Sequence, residues 1–418
     1  MKILVLNSGS SSLKYQVIDT ETGEMLVKGY YERIGQVGAF LTHKVNGEKH
    51  HFEHPAKNHE KAIQFVMKRL TSDHYGVFKS LDELDAIGHR VVHGGEQFKD
   101  AVLITDEVIQ EIKENAMLAP LHNPAAILGI EACQKVVPNK PLHNPAGLIG
   151  VRACQELMPG LPMVAVFDTA FHQTISKEKY IYPIPYEYYE KYHVRKYGFH
   201  GTSHQYVANR VAEILGKDIK ELKIVNCHLG QGASICAIKN GESVETSMGL
   251  TPLGGIPMGT RSGDLDPSVV TYLMKKEELD ADEIEEVLNR ESGVYGISMV
   301  SVDFRDIEAE ALAGGKHAKL ALDAYHYSIA GYIAKCAVAM GGIDVLTFTA
   351  GVGEKSPYSR SEICKQLGIF GVEISGKANL VKGEEAEISS PNSKVKVFVI
   401  PTNEELMIAR ETAELVKK

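Results

Sequence analysis

Charged side chains suited to anion chemistry stand at or near the carboxyl ends of two runs of strand length in this sequence. Arg90 comes late in the run Leu84–Val92, just before His93-Gly94-Gly95-Glu96, and Asp168 directly follows the run Met163–Phe167. A polar residue at the carboxyl end of a strand commonly faces the ligand crevice of an α/β sheet. Both residues are therefore candidate ligands of a charged substrate, although a structural ion pair is a fair alternative for Arg90.

Two further candidates, His200 and Arg261, lie in glycine-containing segments. His200 is in the turn Tyr197–His204, which leads into a predicted helix over Ser203–Leu215. A lone histidine is often a cap or core residue, but the neighbouring glycines permit close approach to a ligand, so both interpretations stay open. Arg261 belongs to the long loop Thr251–Asp266, and flexible loops of this kind often bind anions through one arginine.

A turn of small polar residues, Asn7–Ser12, separates the first two predicted strands, Lys2–Leu6 and Leu13–Asp19. The backbone N–H groups and short side chains of such a turn can converge on an anion, and Lys14 could add a positive charge beside a phosphate. Taken alone, an ordinary polar hairpin is the better interpretation of this stretch.

The same plan recurs about half a chain later and favours the functional interpretation of both turns. Residues 222–241 contain an apolar strand, a glycine-rich turn from His228 to Gly232, and a strand from Ala233 to Ile238. Two such units predict two similar domains facing one another, with a nucleotide phosphate chain between the turns. A further nucleotide contact is predicted where the strand Asp344–Thr349 runs into Gly351-Val352-Gly353.

The bulk composition narrows the class of protein and its partners. A chain of 418 residues predicts two domains or three. Its net charge of −9 and pI near 6.0 argue against a nucleic-acid or anionic-membrane partner. The absence of a secretory signal pattern and of paired cysteine spacing predicts a cytoplasmic protein with reduced, mostly buried thiols. The histidines between residues 46 and 60 suit a solvated hairpin better than a metal site.

A tandem duplication interrupts the first half of the chain. The segment PLHNPAAILGIEACQKVVPNK (120–140) is followed at once by PLHNPAGLIGVRACQELMPGL (141–161), with 11 of 21 positions identical. Each copy has the pattern of a loop, a helix and a proline-containing exit. Because solenoids need three or more repeats, we interpret the pair as a local duplication inside an otherwise non-repeating domain.

Nine stretches in a fixed order give the chain a resemblance to the acetokinase (acetate kinase) family of the acetate and sugar kinase/Hsp70/actin superfamily. They are LVLNSGSSSLK (4–14), GHRVVHGGE (88–96), VFDTAFHQT (166–174), YGFHGTSH (197–204), CHLGQGAS (227–234), MGTRSGDLDP (258–267), DFRDIE (303–308), TAGVGE (349–354) and PTNEE (401–405). Each alone is modest, but nine in order are highly specific and cover essentially the whole chain.

The resemblance implies an α/β protein with the two-domain actin-like ATPase (ribonuclease H-like) fold. It implies a duplicated βββαβαβα core and an active-site cleft between the domains. The expected domains are residues 1–167 with 405–418, on the acyl-substrate and dimer side, and residues 168–404, which bind the nucleotide. A homodimer is also implied, with acetate and ATP as substrates and with Mg²⁺, or Mn²⁺ in its place, as the metal.

Position by position, the resemblance implies roles for the motif residues. The implied catalytic set is Arg90, which also meets the acyl substrate, the acid/base residue Asp168, and the transition-state ligands His200 and Arg261. The implied methyl pocket consists of Val92, Leu121 or Leu142 of the duplicated unit, Phe199 and Pro252. The implied nucleotide contacts are Lys14, His228, Leu229, Gly230, Gln231, Gly232, Asp303, Phe304, Arg305, Gly351, Val352, Gly353, Glu354 and Lys355, and the metal ligands are Asn7 and Glu404.

Two positions depart from the family pattern, because Gln231 and Lys355 stand where many members have asparagine. Gln231 still carries an amide that could lie near phosphate. The lysine at position 355 bears on the detailed contacts with the nucleotide, because it replaces an amide side chain in a stretch that is implied to hold the adenosine.

The implied reaction is reversible transfer of the γ-phosphoryl group of ATP to acetate. A carboxylate is already a nucleophile at neutral pH, so the difficulty is bringing one anion up to another. Asp168 is then expected to position Arg90 or metal-bound water more than to move a proton. The alternatives are a propionate or butyrate kinase, separated by pocket volume, and a non-metabolic ATPase, which would not explain the set of Arg90, His200 and Arg261.

Overall fold

The computed structural model describes residues 1–9, 11–115, 127, 128, 130, 131 and 161–417, and its contacts divide the chain into two compact units. The first unit is Met1–Ala170 with Asn403–Lys418, and the second is Phe171–Thr402. The duplicated segment, residues 120–161, lies almost entirely outside the described residues, as do Leu121 and Leu142.

The described strands form one sheet in each unit. They are β1 Lys2–Ser8, β2 Leu13–Asp19, β3 Glu24–Glu32, β4 Phe40–Val45, β5 Glu48–Glu53, β6 Ala86–Val91, β7 Val102–Leu103, β8 Met163–Phe167, β9 Lys223–Leu229, β10 Ala233–Lys239, β11 Glu242–Thr246, β12 Val345–Thr349, β13 Ala386–Glu387 and β14 Lys396–Val399. The predicted hairpin in the histidine-rich stretch is confirmed, because β4 and β5 pair across a turn at residues 46 and 47.

The described α-helices are α1 His59–Leu70, α2 Asp106–Glu114, α3 Lys177–Tyr180, α4 Glu187–Tyr192, α5 Gly201–Leu215, α6 Pro267–Glu277, α7 Ala281–Glu286, α8 Gly293–Ser298, α9 Phe304–Leu312, α10 Lys316–Met340, α11 Ala350–Lys355, α12 Pro357–Lys365 and α13 Glu404–Lys417. A π-helical turn over Val287–Glu291 continues α7. Across the described ranges, no helix has the length and apolar character that a bilayer crossing requires.

The two sheets share one internal order of five strands. The first sheet runs β5-β4-β3-β2-β1-β6-β8-β7 and the second runs β11-β10-β9-β12-β14-β13. In both, three antiparallel strands are followed by two parallel ones, because β1, β6 and β8 correspond to β9, β12 and β14. The predicted duplication of the strand–turn–strand unit is therefore confirmed as a duplicated sheet core.

Local sequence signals define the helix between β5 and β6. The Asn58 side chain accepts a hydrogen bond from the Lys61 N–H and caps α1, whose first turn contains Glu60 and whose last turn contains Lys68 and Arg69. These charges oppose the helix dipole at each end. The apolar stripe of α1 then packs into the core of the first unit.

Helix α13 lies against the first sheet because β6 contains a glycine at the point of contact. A Cβ atom on Gly88 would lie 2.5 Å from Thr412 Oγ1 and 2.8 Å from Ile408 Cγ2, so any larger residue would push α13 away. Arg90 is two residues further along β6 and therefore on the same face of the sheet. This close approach places Glu404, the first residue of α13, beside Arg90.

Candidate active site

Arg90, Asp168 and Glu404 form a charged cluster in the first unit. Arg90 Nε donates to Asp168 Oδ1 at 3.0 Å and Arg90 Nη2 donates to Asp168 Oδ2 at 2.5 Å, which is a bidentate pair. Arg90 Nε also lies 3.8 Å from Glu404 Oε2. The ion pair that remained an alternative for Arg90 is thus present, and its partner is the other predicted catalytic residue.

The topology of the first sheet explains why these residues meet. β6 and β8 are parallel neighbours, with Arg90 opposite Val166, so Asp168 emerges just past the end of β8 beside Arg90. The turns that follow the two strands are joined, because the Gly94 N–H donates to Thr169 Oγ1 at 3.1 Å. Val92, the predicted methyl-pocket residue, is buried in the same turn.

The surroundings of the cluster raise the pKa values of both Glu404 and Arg90. Burial and the neighbouring Asp168 and Glu405 carboxylates raise the pKa of Glu404, although Arg90 and Lys14 favour its charged form. Burial opposes the charge of Arg90, but Asp168 and Glu404 outweigh it and raise the pKa of Arg90. Glu404 is therefore a carboxylate that would gain from an added positive charge.

The hairpin β1–β2 brings the remaining predicted polar residues of the first unit together. Asn7 on β1 pairs in register with Lys14 on β2. The Lys14 ammonium lies 5.5 Å from the centre of the Tyr30 ring on β3, a distance at which a cation–π contact forms. Since Lys14 also acts on the pKa of Glu404, this hairpin end and the start of α13 are neighbours.

In the second unit, His200 and Arg261 converge on the glycine-rich turn between β9 and β10. A Cβ atom on Gly232 would lie 3.2 Å from Arg261 Nη1 and 3.5 Å from His200 Nε2. His200 has a left-handed backbone (φ 57°) at the start of α5, a conformation that few residues other than glycine and asparagine adopt. The second predicted pair of catalytic residues therefore faces the predicted phosphate-binding turn.

His228 adds a second imidazole to this part of the unit. Its ring stacks on that of His200, with centroids 4.1 Å apart and an interplanar angle of 20°. His228 Nδ1 lies 2.8 Å from Ser203 Oγ, which lies 2.7 Å from Thr402 Oγ1. Leu229 completes β9, and the Gly230 N–H donates to the Gly232 carbonyl to close the turn.

Gln231, which stands where many members of the family have asparagine, contacts a segment predicted to bind adenosine. Gln231 Nε2 donates to the Val302 carbonyl at 2.8 Å, so its amide links the glycine-rich turn to the start of α9. Asp303 caps α9 and forms an ion pair with Arg305, whose side chain is mostly exposed. Phe304 is buried, with its ring 5.0 Å from that of Tyr325, so its side chain belongs to the core.

The turn from β12 into α11 carries the last predicted nucleotide residues. Gly351 and Lys355 are exposed, whereas Val352 and Gly353 are buried. Glu354 points back along the turn, and its Oε1 accepts from the Ala350 N–H at 2.8 Å and the Thr402 N–H at 3.2 Å.

The remaining predicted pocket residues of the second unit are Phe199 and Pro252. Phe199 is buried next to His200. The Pro252 carbonyl accepts a hydrogen bond from Arg261 Nη1 at 3.3 Å. Pro252 is therefore in contact with one predicted transition-state ligand through its carbonyl, and Phe199 precedes the other along the chain.

Known proteins resemble this chain over its full length. The model of the Acetokinase family matches residues 2–141 and 136–410. An acetate kinase of Clostridium botulinum is 53% identical over 418 residues, covering 100% of both chains. An acetate kinase of Thermotoga maritima is 52% identical over 421 residues, covering 100% of this chain and 99% of the relative.

The chain belongs to the acetokinase family.

Solved structures agree with this family membership. The crystal structure of Porphyromonas gingivalis acetate kinase has a TM-score of 0.90 at 45% identity, with 99% of each chain covered. A propionate kinase from Francisella tularensis has a TM-score of 0.87 at 39% identity, again with 99% of each chain covered. The predicted resemblance and the actin-like ATPase fold are confirmed for this acetokinase.

Sequence reasoning missed several polar residues of this acetokinase. Asn226 in β9 and Ser234 in β10 are fully buried between apolar neighbours along their strands, and Thr347 in β12 is likewise buried. A polar side chain in the middle of a continuous apolar strand was the available signal, because such a group needs a partner. Thr169 and Thr402 follow strand ends and could have been found by the rule that identified Asp168.

Proposed function

We propose that the protein catalyses reversible phosphoryl transfer between ATP and acetate, giving acetyl phosphate and ADP by direct in-line transfer. The observation that carries the proposal is Arg90 clamped by Asp168 at the ends of β6 and β8, in a chain 53% identical to an acetate kinase along its whole length. Acetate needs no strong base, because its carboxylate is ionised at neutral pH. Positive charge and alignment are what the reaction requires.

Arg90, Arg261 and His200 supply that charge and hydrogen bonding. The transferring group carries negative charge on its equatorial oxygens, and fixed donors stabilise it without reorganising during the reaction. Asp168 uses both carboxylate oxygens on Arg90, which fixes the plane of the guanidinium. We therefore assign Asp168 to positioning Arg90, and no proton transfer through Asp168 is needed.

The first unit suits a divalent cation of the Mg²⁺ type. Asn7 and Glu404 offer oxygen donors, and burial together with neighbouring carboxylates raises the pKa of Glu404, so that a bound cation would stabilise its ionised form. Mg²⁺ prefers oxygen ligands and usually takes only one or two from carboxylates, with the rest from water and phosphate. When bound, the ion would neutralise phosphate charge, and Asn7 and Glu404 would hold it.

The nucleotide is assigned to the second unit. His228 to Gly232 would contact the phosphates, where the glycine-rich turn leaves backbone exposed beside His200 and Arg261. Asp303 to Arg305 and Gly351 to Lys355 would hold the adenosine. Lys14 of the first unit would add a contact to phosphate.

An acyl-hydroxamate assay with ATP, MgCl₂ and acetate tests the activity. We expect acetyl hydroxamate to accumulate with purified protein and hydroxylamine, and ADP release to depend on acetate. ADP release of equal rate without acetate, and no hydroxamate, would instead indicate a non-metabolic ATPase. Arg90→Ala serves as the inactive control.

A propionate kinase is the second candidate, since a solved propionate kinase superposes with a TM-score of 0.87. We propose that Val92, Phe199 and Pro252 restrict the acyl chain, so that acetate is preferred over butyrate. Each unwanted methylene changes discrimination by only about 1–3 kcal/mol, so propionate should react measurably. Comparing kcat/KM for the three acids decides this, and equal values for acetate and butyrate would reject the acetate assignment.

The protein is also proposed to be a cytoplasmic homodimer. We place the interface on α10 of the second unit and not on the first domain, which was the expected dimer side, because exposed apolar residues form a stripe on α10, where Leu320, Tyr327 and Val338 recur at helical spacing. Val338→Lys should shift the mass measured by light scattering from dimer towards monomer. Val37→Lys is the control, because Val37 is 96% exposed and belongs to the first unit rather than to α10.

A further inference from the structure

A chain of hydrogen bonds runs through the core of the second unit to His200. Thr347 Oγ1 donates to Asn226 Oδ1 at 2.7 Å, and Asn226 Nδ2 lies 2.9 Å from His204 Nδ1. His204 Nε2 lies 2.8 Å from Ser234 Oγ, which in turn lies 2.9 Å from His200 Nδ1. The four residues that lead to His200 are fully buried.

The donor and acceptor roles along this chain of hydrogen bonds are fixed at its buried end, at Thr347. Because the Thr347 hydroxyl donates to the Asn226 amide oxygen, the amide NH₂ faces His204, and His204 Nδ1 must accept. Burial lowers the pKa of His204 well below its ordinary value, so the ring is neutral. Its single ring proton is then on Nε2 and is donated to Ser234.

Ser234 accepts on one side and donates on the other, and this fixes the role of His200 Nδ1. A hydroxyl that accepts from His204 has its own hydrogen available for the other neighbour, His200 Nδ1. His200 Nδ1 is then an acceptor, and the ring proton of neutral His200 is on Nε2. This is the nitrogen that faces Gly232 and lies on the same side of it as Arg261.

We propose that Ser234, His204 and Asn226 are positioning residues that hold His200 in the tautomer protonated on Nε2, so that Nε2 donates to the transferring phosphoryl group. The inference rests on the proposed function, in which His200 stabilises the transition state. Phosphoryl oxygens only accept hydrogen bonds, and the opposite tautomer would aim a lone pair at them. A tautomer fixed by buried groups gives a donor without requiring a charged imidazole.

Histidine ring NMR tests the tautomer directly. Full-length protein labelled with ¹⁵N-histidine would be compared with Ser234→Ala, and His200→Asn would assign the His200 signals. We expect wild-type His200 to be the Nε2-protonated tautomer and Ser234→Ala to show a mixture. A wild-type ring protonated on Nδ1, or a pattern unchanged in Ser234→Ala, would overturn the proposal.

Kinetics test whether the tautomer matters for turnover. Ser234→Ala should lower kcat about tenfold or more, while KM for ATP and acetate stays within about twofold. The matched control is Ser243→Ala, since Ser243 Oγ makes an equally buried contact of 2.8 Å with His172 Nδ1 outside the chain. Its kcat should stay near wild type. An equal loss of kcat in both variants would show that the effect comes from general disruption of the core, and would refute the proposal.

Two isosteric variants of His204 separate hydrogen bonding from packing. Glutamine can place an amide nitrogen near the position of Nε2 and still donate to Ser234, whereas asparagine is too short. His204→Gln should retain at least about five times the kcat of His204→Asn, and similar losses in both would contradict the proposal. The NMR result does not depend on turnover, so its failure is distinguishable from a missing acetyl hydroxamate signal, which would count against the proposed function alone.

Discussion

The two arginines of the candidate site have opposite electrostatic surroundings. Arg90 is held by both oxygens of Asp168, and its pKa is raised. Arg261 contacts a neutral carbonyl and the Met258 thioether, and burial lowers its pKa. An incoming anion should therefore stabilise the charged form of Arg261 more than that of Arg90.

Replacing either arginine by alanine should lower kcat by about 100-fold or more, because each removes a fixed donor to the transferring group. The two variants should differ in stability. Arg90→Ala leaves the buried Asp168 carboxylate without its partner, a loss of about 3–5 kcal/mol, whereas Arg261 takes part in none of the ion pairs described and its removal should cost less. Steady-state kinetics and thermal unfolding measure both effects.

The control for both is Arg210→Ala, since Arg210 pairs with Glu385 and Glu213 on the surface. Its kcat should not change. Near wild-type turnover in Arg90→Ala or Arg261→Ala would remove that residue from the mechanism.

Glu404 predicts a specific dependence of stability on pH. Its folded-state pKa is raised above the ordinary 4.5, so the folded protein retains this proton more tightly than the unfolded chain. The wild type therefore loses stability as pH rises from about 4.5 through the folded-state pKa, and Glu404→Gln does not. Without divalent cations, the unfolding midpoint of Glu404→Gln relative to wild type should rise between pH 5 and pH 8.

The exposed Glu21 provides the comparison for that titration. The midpoint of Glu21→Gln should track wild type across the same pH range. A difference between Glu404→Gln and wild type that stays constant with pH would mean that Glu404 has no raised pKa. Glu404→Gln should also lose most phosphoryl transfer, because a neutral amide is a weaker ligand for Mg²⁺.

Individual site residues were predictable where strand ends reveal them. Arg90 stands late in one predicted strand and Asp168 directly follows another, and parallel neighbours bring such ends together. Glu404 could be placed beside Arg90 only through the family resemblance, because no local pattern connects α13 to β6. Ser234 and Asn226 were missed because one polar residue does not disturb the pattern of a buried strand.

At the scale of elements, the turn between β12 and α11 is held by one carboxylate. Ala350 has a left-handed backbone with φ 62°, which costs an alanine free energy that glycine would not lose. Glu354 compensates by accepting from the Ala350 N–H and from the Thr402 N–H after β14. The predicted nucleotide role of Glu354 therefore includes shaping the turn.

Glu354→Gln should raise KM for ATP more than it lowers kcat. The amide has one accepting oxygen and no charge, so it binds the two N–H groups more weakly and loosens the turn. Initial rates at varied ATP and saturating acetate measure the two constants. Glu362→Gln on the following helix is the control, since Glu362 pairs only with the exposed Lys365 among the ion pairs described. A fall in kcat at constant KM would contradict this role.

Long regular elements were the most predictable. The bounds of β2 and β8 agree with prediction, because period-two alternation and a continuous apolar run each extend over the whole element. The two-residue strands β7 and β13 were missed. They are held by pairing to β8 and β14 at sheet edges, and two residues are too few to show a period.

On the scale of the whole molecule, the tandem duplication coincides with a break in the match to the family. The family model matches residues 2–141 and then resumes at residue 136, around the junction of the two copies at 140 and 141. A match that resumes within a segment already matched supports one copy being additional. Most residues of the two copies lie outside the part of the chain that the structure describes.

Deleting residues 120–140 or residues 141–161 should leave an active enzyme. Each deletion retains one complete Leu-His-Asn-Pro unit between the same flanking segments. Leu121→Ala and Leu142→Ala should then be unequal, with only one raising KM for acetate. Hydroxamate assays and unfolding midpoints test this. Loss of activity in both deletions, with the fold retained by circular dichroism, would show that the copies are not redundant.

The position of α13 has a consequence for how this protein is made. Residues 404–417 leave the ribosome after all of Phe171–Thr402, yet they pack against β6 at Gly88 in the first unit. Chains fold in part during synthesis. The side of the first sheet that faces α13 therefore stays uncovered while the second unit is translated. Until then Arg90 and Asp168 lack Glu404, so a truncated translation product could not assemble this charged cluster.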